Sequence, residues 1–110
     1  MSLLKGDKII AREVEKADSF VLRLRGLIGR KNFGEGRALY IPGCNFIHTF
    51  FMNFPIDVIM INNDGKVFFV KSGLKPFRIT GCPAAKNTIE LKAGTAEKYS
   101  IKPGDNLSFN

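Results

Sequence analysis

A chain of 110 residues with 45% hydrophobic and 25% charged residues has the composition of one globular domain rather than of a disordered segment. It contains no apolar run of about 18 residues, which excludes a membrane-spanning helix of the usual kind. The formal net charge of +7 comes from two blocks, 23–37 and 71–86, where basic residues outnumber acidic ones. Such blocks are usually solvated surface, and they would form one basic patch only if the fold brings them together.

The two cysteines and the first residues indicate where the protein works. Cys44 and Cys82 do not form the pattern of a disulfide-rich domain, and the opening residues lack the apolar core of a signal peptide. We therefore expect both cysteines to be reduced thiols and the protein to be cytoplasmic.

The first elements in chain order are a strand, a helix and a strand. Weak alternation predicts a strand over 8–14. Asp18 or Ser19 as an N-cap and apolar residues at helical spacing predict a helix over 19–28, which ends at Gly29. A short strand over 37–41 is stopped by Pro42-Gly43.

The next stretch, 44–61, is strongly apolar but carries the only histidine and a carboxylate. The many aromatic and β-branched residues disfavour a helix in this stretch, and Pro55 would end any helix that precedes it. Asp57 is the exception in this apolar run, so it must accept hydrogen bonds, meet a cation or lie at an opening to water. We expect the first part of the stretch, 46–54, to be an extended strand with two faces. One face carries Phe46, His48, Phe50, Met52 and Phe54. The other face carries Ile47, Thr49, Phe51 and Asn53.

A β-hairpin is predicted between 56–63 and 66–72, because Asp64-Gly65 suits a two-residue turn with positive φ. A four-residue loop that starts at Asn62 would shift its register. The two-residue turn predicts the cross-strand pairs Ile61–Phe68, Met60–Phe69, Ile59–Val70, Val58–Lys71 and Asp57–Ser72.

The last third of the chain predicts short elements only: an extended segment over 75–80, a strand over 87–92, a helical turn from Gly94 to Tyr99 and a strand over 107–109. The chain as a whole, 1–110, is predicted to be a single mainly β (β-rich α+β) domain. Its architecture would be a small antiparallel barrel-like or strongly coiled sheet of six to eight short strands with one or two short helices.

Motifs spread over nearly the whole chain carry a family resemblance. They are Gly26-Leu27-Ile28-Gly29-Arg30, Cys44-Asn45-Phe46-Ile47-His48-Thr49-Phe50-Phe51-Met52, Pro55-Ile56-Asp57-Val58, Asp64-Gly65, Leu74-Lys75-Pro76, Gly94 and Gly104-Asp105. In this order and at this spacing they resemble the family called domain of unknown function 192 (DUF192). The resemblance implies a single small β-rich domain that is found widely in prokaryotes. It implies no established activity and assigns no role to the motif residues.

We expect a binding site where the apolar stretch carries polar side chains, because apolar walls with a few convergent polar groups are the usual composition of ligand sites. The protein would be a non-catalytic binding module for an anionic or mixed-character small molecule or peptide, with no cofactor and no metal. The residues predicted to form this site are His48, Thr49, Phe50, Met52, Phe54, Asp57, Ser72, Lys75 and Arg78.

An enzyme is the first alternative. A small hydrolase would pair His48 with Asp57 and use Cys44 or Thr49 as the nucleophile. In a regular strand, however, Cys44 and His48 lie about 13 Å apart, so spacing does not support a triad. A metal site drawing on the same residues and Cys82 would suit zinc, but no short-spaced pair of cysteines or histidines exists.

A nucleic-acid binder is the second alternative. The basic blocks 23–37 and 71–86 would contact phosphates, and phenylalanines would stack on bases. The phenylalanines lie between the basic blocks rather than interleaved with them, which makes the core the better interpretation for most of these rings.

Overall fold

The computed structural model describes residues 1–17, 34–50 and 52–110, so the helix predicted over 19–28 lies outside the described residues. The described part is β-rich with one short helix, which confirms the predicted fold class. In chain order the elements are β1 (Leu3–Lys5), β2 (Lys8–Ala11), β3 (Glu13–Lys16), β4 (Arg37–Ile41), β5 (Phe46–His48), β6 (Ile56–Ile61), β7 (Val67–Leu74), β8 (Ile79–Gly81), β9 (Asn87–Lys92), α1 (Thr95–Lys98) and β10 (Leu107–Phe109).

The strands of the described residues form three sheets that do not close into a barrel. Their orders are β10-β1-β2, β3-β4-β9-β6-β7 and β5-β8. The ten described strands exceed the predicted six to eight, partly because the segment predicted as one strand over 8–14 is divided between β2 and β3. All pairs are antiparallel except β3 with β4, which are parallel.

The centre of the five-stranded sheet is β6, whose six residues are all buried. Its apolar side chains alternate between two hydrophobic clusters, one on each face of the sheet: Val58 packs in the first cluster and Ile59 in the second. A strand covered on both faces requires a continuous apolar sequence, which explains the run Ile56–Ile61.

The β6–β7 hairpin has the predicted register in its middle and differs at both ends. Ile61 pairs with Val67 rather than Phe68, and an irregularity near Ile56 removes the predicted pair of Asp57 with Ser72. The loop is longer than two residues because the Asn62 side chain accepts hydrogen bonds from the backbone N–H of Asp64 and Lys66. The three predicted pairs that are confirmed are Met60–Phe69, Ile59–Val70 and Val58–Lys71.

The extended strand predicted through Phe54 was wrong in its second half. Strand β5 ends at His48, and the Met52 N–H then donates to the Thr49 carbonyl at 3.3 Å, which turns the chain. As a result Phe50 is exposed whereas Met52 and Phe54 are buried, so these three side chains do not share one face.

One surface carboxylate makes a testable contribution to stability. Asp105 accepts a hydrogen bond from the Lys102 N–H at 2.8 Å and lies 3.2 Å from Lys5 Nζ. The pKa of Asp105 is lowered from its ordinary value of 3.8, first by the Lys102 backbone hydrogen bond and then by Lys5. A lowered folded-state pKa means that this stabilisation is complete above the unfolded-state pKa and is lost as the pH falls through the folded-state pKa.

We therefore expect Asp105→Asn to lower the free energy of unfolding at pH 7 and to lower it less at pH 3, as measured by urea unfolding. Asp7→Asn, which removes an exposed carboxylate in a turn, is the control. An equal loss for Asp105→Asn at both pH values would contradict the role of the charged carboxylate.

Candidate functional site

The two-stranded sheet β5-β8 presents one face to solvent. Phe46 lies opposite Gly81 and His48 lies opposite Ile79, and residues directly opposite in an antiparallel pair share a face. Between them, the Ile47 side chain points the other way and is buried in the first hydrophobic cluster. The outer face of this sheet therefore carries Phe46, His48 and Ile79.

Thr49 fastens the loop that precedes β8, which we call the 75–78 loop. Its backbone N–H donates to the Arg78 carbonyl at 2.9 Å. Its hydroxyl donates to the Lys75 carbonyl at 2.6 Å and accepts from the Arg78 N–H at 3.0 Å. Thr49 has no exposed surface, so it positions the loop rather than contacting a ligand.

Exposed aromatic and aliphatic side chains collect around this sheet. His48 stacks on Phe50 with ring centroids 4.9 Å apart. Of the six large apolar side chains exposed in the described residues, four lie here. A cluster of this kind marks an interaction surface more often than scattered exposed residues do. We call it the apolar patch, and its members with their exposed fractions are Phe46 (58%), Phe50 (42%), Phe77 (69%) and Ile79 (58%).

Phe77 has an unusual backbone conformation. Its φ of 62° lies in the left-handed region, which costs a bulky residue roughly 1–3 kcal/mol. Its backbone N–H donates to the Thr49 carbonyl at 3.0 Å, which helps to hold this conformation. Because the ring is mostly exposed, its packing within the domain does little to offset the strain.

A cationic cleft adjoins the apolar patch. It has a volume of about 390 Å³, and the described residues that line it include three basic side chains and no acidic one. Ile79 belongs to both the cleft and the patch, so the two surfaces are continuous. The residues that line the cationic cleft are Lys71, Gly73, Leu74, Lys75, Arg78 and Ile79.

Asp57, the carboxylate within the apolar run, is fully buried and accepts three backbone hydrogen bonds. Its Oδ1 accepts from the Gly73 N–H at 2.8 Å, and its Oδ2 accepts from Gly94 at 3.0 Å and Ala96 at 2.8 Å. The carboxylate thus joins the end of β7 to the start of α1. Of the three options that the sequence left for it, hydrogen bonding is the one observed.

The predicted site residues are divided by the fold. His48, Phe50, Lys75 and Arg78 lie on or beside the continuous surface of patch and cleft. Thr49 lies beneath it, and Ser72 is exposed on β7. The remaining three are interior: Met52 and Phe54 belong to the first hydrophobic cluster, and Asp57 holds three segments together.

Sequence reasoning missed six residues of this surface: Phe46, Lys71, Gly73, Leu74, Phe77 and Ile79. Phe46 and Ile79 resemble core residues in sequence, and only the pairing of β5 with β8 shows that they face outward. No sequence signal marks Phe77, because a left-handed conformation is usually announced by glycine or asparagine.

The residues considered for catalysis have separate structural partners. Both oxygens of Asp57 accept hydrogen bonds from backbone N–H groups, which ties this carboxylate into the fold. The Cys44 thiol donates to the Phe46 carbonyl at 3.1 Å. Within residues 1–17, 34–50 and 52–110, no group of three histidine, cysteine or acidic side chains is placed to hold a metal ion.

Fold and surface together define a small, mainly β domain of three sheets, with exposed aromatic side chains beside a cationic cleft. The family model of DUF192, described as "Uncharacterized ACR", matches residues 2–109. The chain therefore belongs to the DUF192 family, which confirms the resemblance seen in the sequence motifs.

Curated relatives come from archaea and are named UPF0127 proteins. The one from Pyrococcus furiosus is 34% identical over 116 residues, covering 100% of this chain and 97% of the relative. The one from Thermococcus kodakarensis is 32% identical over 101 residues, covering 88% of this chain. The match spans only 64% of that relative and 66% of a second, from Thermococcus gammatolerans.

Two solved bacterial structures share the fold. A protein of unknown function from Novosphingobium aromaticivorans has a TM-score of 0.76 at 20% identity, covering 87% of this chain and 74% of its own. A candidate transcription regulator from Sinorhizobium meliloti has a TM-score of 0.77 at 24% identity, covering 86% of this chain and 79% of its own. At these identities the likeness extends to the fold alone. Among the described residues, no helix has the length and apolar character needed to cross a membrane.

Proposed function

We propose that the protein is a non-catalytic binding module that takes an acidic peptide segment with apolar side chains onto the apolar patch and the cationic cleft. The observation that carries this proposal is that Ile79 belongs to both surfaces: it lines the cleft and also lies opposite His48 on the patch. One ligand can therefore contact exposed rings and basic side chains together.

The two parts of the surface would make different contributions to binding. Exposed aromatic rings are the usual anchors of a protein interface, because they bury a large area with little loss of side-chain freedom. The basic residues Lys71, Lys75 and Arg78 would attract carboxylates, raise the association rate and make binding sensitive to salt. Among the lining residues that the structure describes, none is an acid that would neutralise them.

The shape of the surface favours a peptide over a small molecule. The patch draws on β5, on the 75–78 loop and on β8, and its side chains project outward instead of enclosing a cavity. Small-molecule sites usually bury most of their ligand in a concave pocket. An extended segment with acidic and apolar side chains fits a broad exposed surface better.

Selection from a display library of random peptides tests the proposal. The wild-type protein should enrich peptides that combine aspartate or glutamate with leucine, isoleucine or phenylalanine, and their binding should weaken as salt rises. Enrichment of no peptide family, or of peptides without acidic residues, would overturn it. Single-stranded DNA serves as a competitor, and displacement by DNA without any acidic peptide family would favour the nucleic-acid alternative.

We expect Phe77→Asn to weaken binding of the selected peptides at least about 10-fold, a loss of about 1.4 kcal/mol, while leaving the fold intact. Asparagine tolerates a left-handed backbone better than phenylalanine does, so the free energy of unfolding should stay the same or rise by up to about 1 kcal/mol. Peptide titration and urea unfolding measure the two quantities.

The matched control is Phe68→Asn, which removes an exposed ring on β7 outside the patch and should leave peptide affinity unchanged. For the charges, Lys75→Glu with Arg78→Glu should abolish binding, whereas Lys8→Glu on β2 should not. Equal losses in the patch variants and in these controls would show that the effect is not local to the proposed surface.

A further inference from the structure

The outer edge of β7 accepts backbone hydrogen bonds along its first part. The Val67 N–H donates to the Asp105 carbonyl at 2.8 Å, and the Val67 carbonyl accepts from the Gly104 N–H at 2.8 Å. Lys66 forms an antiparallel bridge with Asn106. The segment 104–106 of the chain thus lies against this edge as a short added strand that ends beside Val67.

Beyond Val67 the same edge continues without a described partner strand. Backbone N–H and C=O groups of a strand point alternately to its two sides, and the register shift between Met60 and Ile61 moves this alternation by one residue. Phe69 and Lys71 therefore face β6, whereas the backbone groups of Val70 and Ser72 point outward, as those of Val67 do. Within the described residues, β7 pairs in a sheet only with β6 on its other side. Lys71 is exposed, as are Ser72 and Gly73 after it.

This open part of the edge borders the cationic cleft, since Lys71 and Gly73 of β7 both line the cleft. The exposed Lys71 and the left-handed Gly73 (φ 62°) are features that oppose the pairing of two such edges with each other. The same lysine attracts an incoming strand that carries carboxylates. The charge of the cleft therefore selects an acidic strand and opposes a second copy of this edge.

We propose that the acidic peptide docks by β-strand addition, pairing its backbone with Val70 and Ser72 while its acidic side chains meet Lys71, Lys75 and Arg78. This inference rests on the proposed function and adds the mode of recognition. Backbone pairing supplies affinity that does not depend on sequence, and the cleft and patch supply specificity through alternate side chains. The two outward-facing residues provide two donors and two acceptors for the added strand.

Amide hydrogen exchange of the wild-type protein tests this mode directly. In the free protein the N–H of Val70 and Ser72 should exchange quickly, whereas that of Lys71, which faces β6, should be protected. Saturation with the tightest acidic peptide from the library should slow exchange at Val70 and Ser72 at least about 10-fold and leave Lys71 little changed. Binding without this protection would overturn strand addition and leave the proposed function standing. Absence of acidic binders would overturn both.

A pair of variants provides a second measurement. Ser72→Pro removes an outward N–H from an edge position, where proline is tolerated, and should weaken binding at least about 10-fold. Ser72→Ala removes the hydroxyl but keeps the N–H, and should leave affinity within about 2-fold of the wild type. Equal affinities for the two variants would contradict backbone pairing at this position. If Ser72→Pro does not fold, N-methylation of one or the other set of alternate residues of the peptide makes the same test on the wild-type protein. One set should lose affinity and the other should not. Unchanged affinity for both sets would contradict the pairing.

Discussion

Asp57→Asn is expected to lower the free energy of unfolding by about 2–4 kcal/mol, although it changes the size of the side chain hardly at all. The Asp57 carboxylate accepts from three backbone N–H groups, with two of them on Oδ2 and one on Oδ1. An asparagine has one acceptor oxygen, so its NH₂ group would face one of these buried donors. Each buried donor left without an acceptor costs about 1–3 kcal/mol.

Urea unfolding at neutral pH measures this effect, and Asp64→Asn is its control. Asp64 lies exposed in the β6–β7 loop, where removing a charge should change stability by less than about 0.5 kcal/mol. A loss in Asp57→Asn that is no larger than in the control would contradict the structural role of the carboxylate. In that case a functional role for Asp57 would again be the better interpretation.

Gly65→Ala should be at least as destabilising, with a loss of about 2–5 kcal/mol. Gly65 has a φ of 87°, and an added Cβ would overlap the backbone carbonyl oxygen of Leu107. The Leu107 N–H donates to the Gly65 carbonyl at 2.8 Å, so the clash would also separate the hairpin loop from β10. Backbone atoms cannot move aside as a flexible side chain can.

Gly104→Ala separates the two causes of this loss, which are the left-handed backbone conformation and the clash of the added Cβ with Leu107. Gly104 has a similar φ of 97°, but a Cβ there would meet no atom within 4 Å. Its substitution should therefore cost only the left-handed conformation, about 1–2 kcal/mol. If the two variants lose the same stability in urea unfolding, the close approach of Gly65 to Leu107 is not important.

Local patterns in the sequence predicted several elements of the fold correctly. Strands β4, β9 and β10 have the predicted bounds 37–41, 87–92 and 107–109, and the middle of the hairpin has the predicted register. Alternation, glycine and proline specify such elements because they act over a few residues. The ends of the hairpin differ because a side chain, that of Asn62, competes with the ladder for the backbone N–H groups of the loop.

The surface proposed for binding depends on contacts that sequence patterns do not encode. Thr49 ends the regular strand by bonding a loop about 26 residues further along the chain, so Phe50 turns outward and Met52 inward. The pairing of β5 with β8 then brings His48 beside Ile79. Both are long-range effects. By contrast, the conflict of a carboxylate with apolar neighbours was visible in the sequence and correctly indicated that Asp57 needs partners.

Mapping the bound peptide by chemical-shift perturbation is the most direct measurement of the central claim. Titration of the isotope-labelled protein with a selected acidic peptide should shift the resonances of His48, Phe50, Phe77 and Ile79 together with those of Lys71 and Arg78. Resonances of β2 and of the Asn62–Lys66 loop should stay in place. Shifts that fall elsewhere on the domain, with this set unaffected, would contradict the assignment of the binding surface.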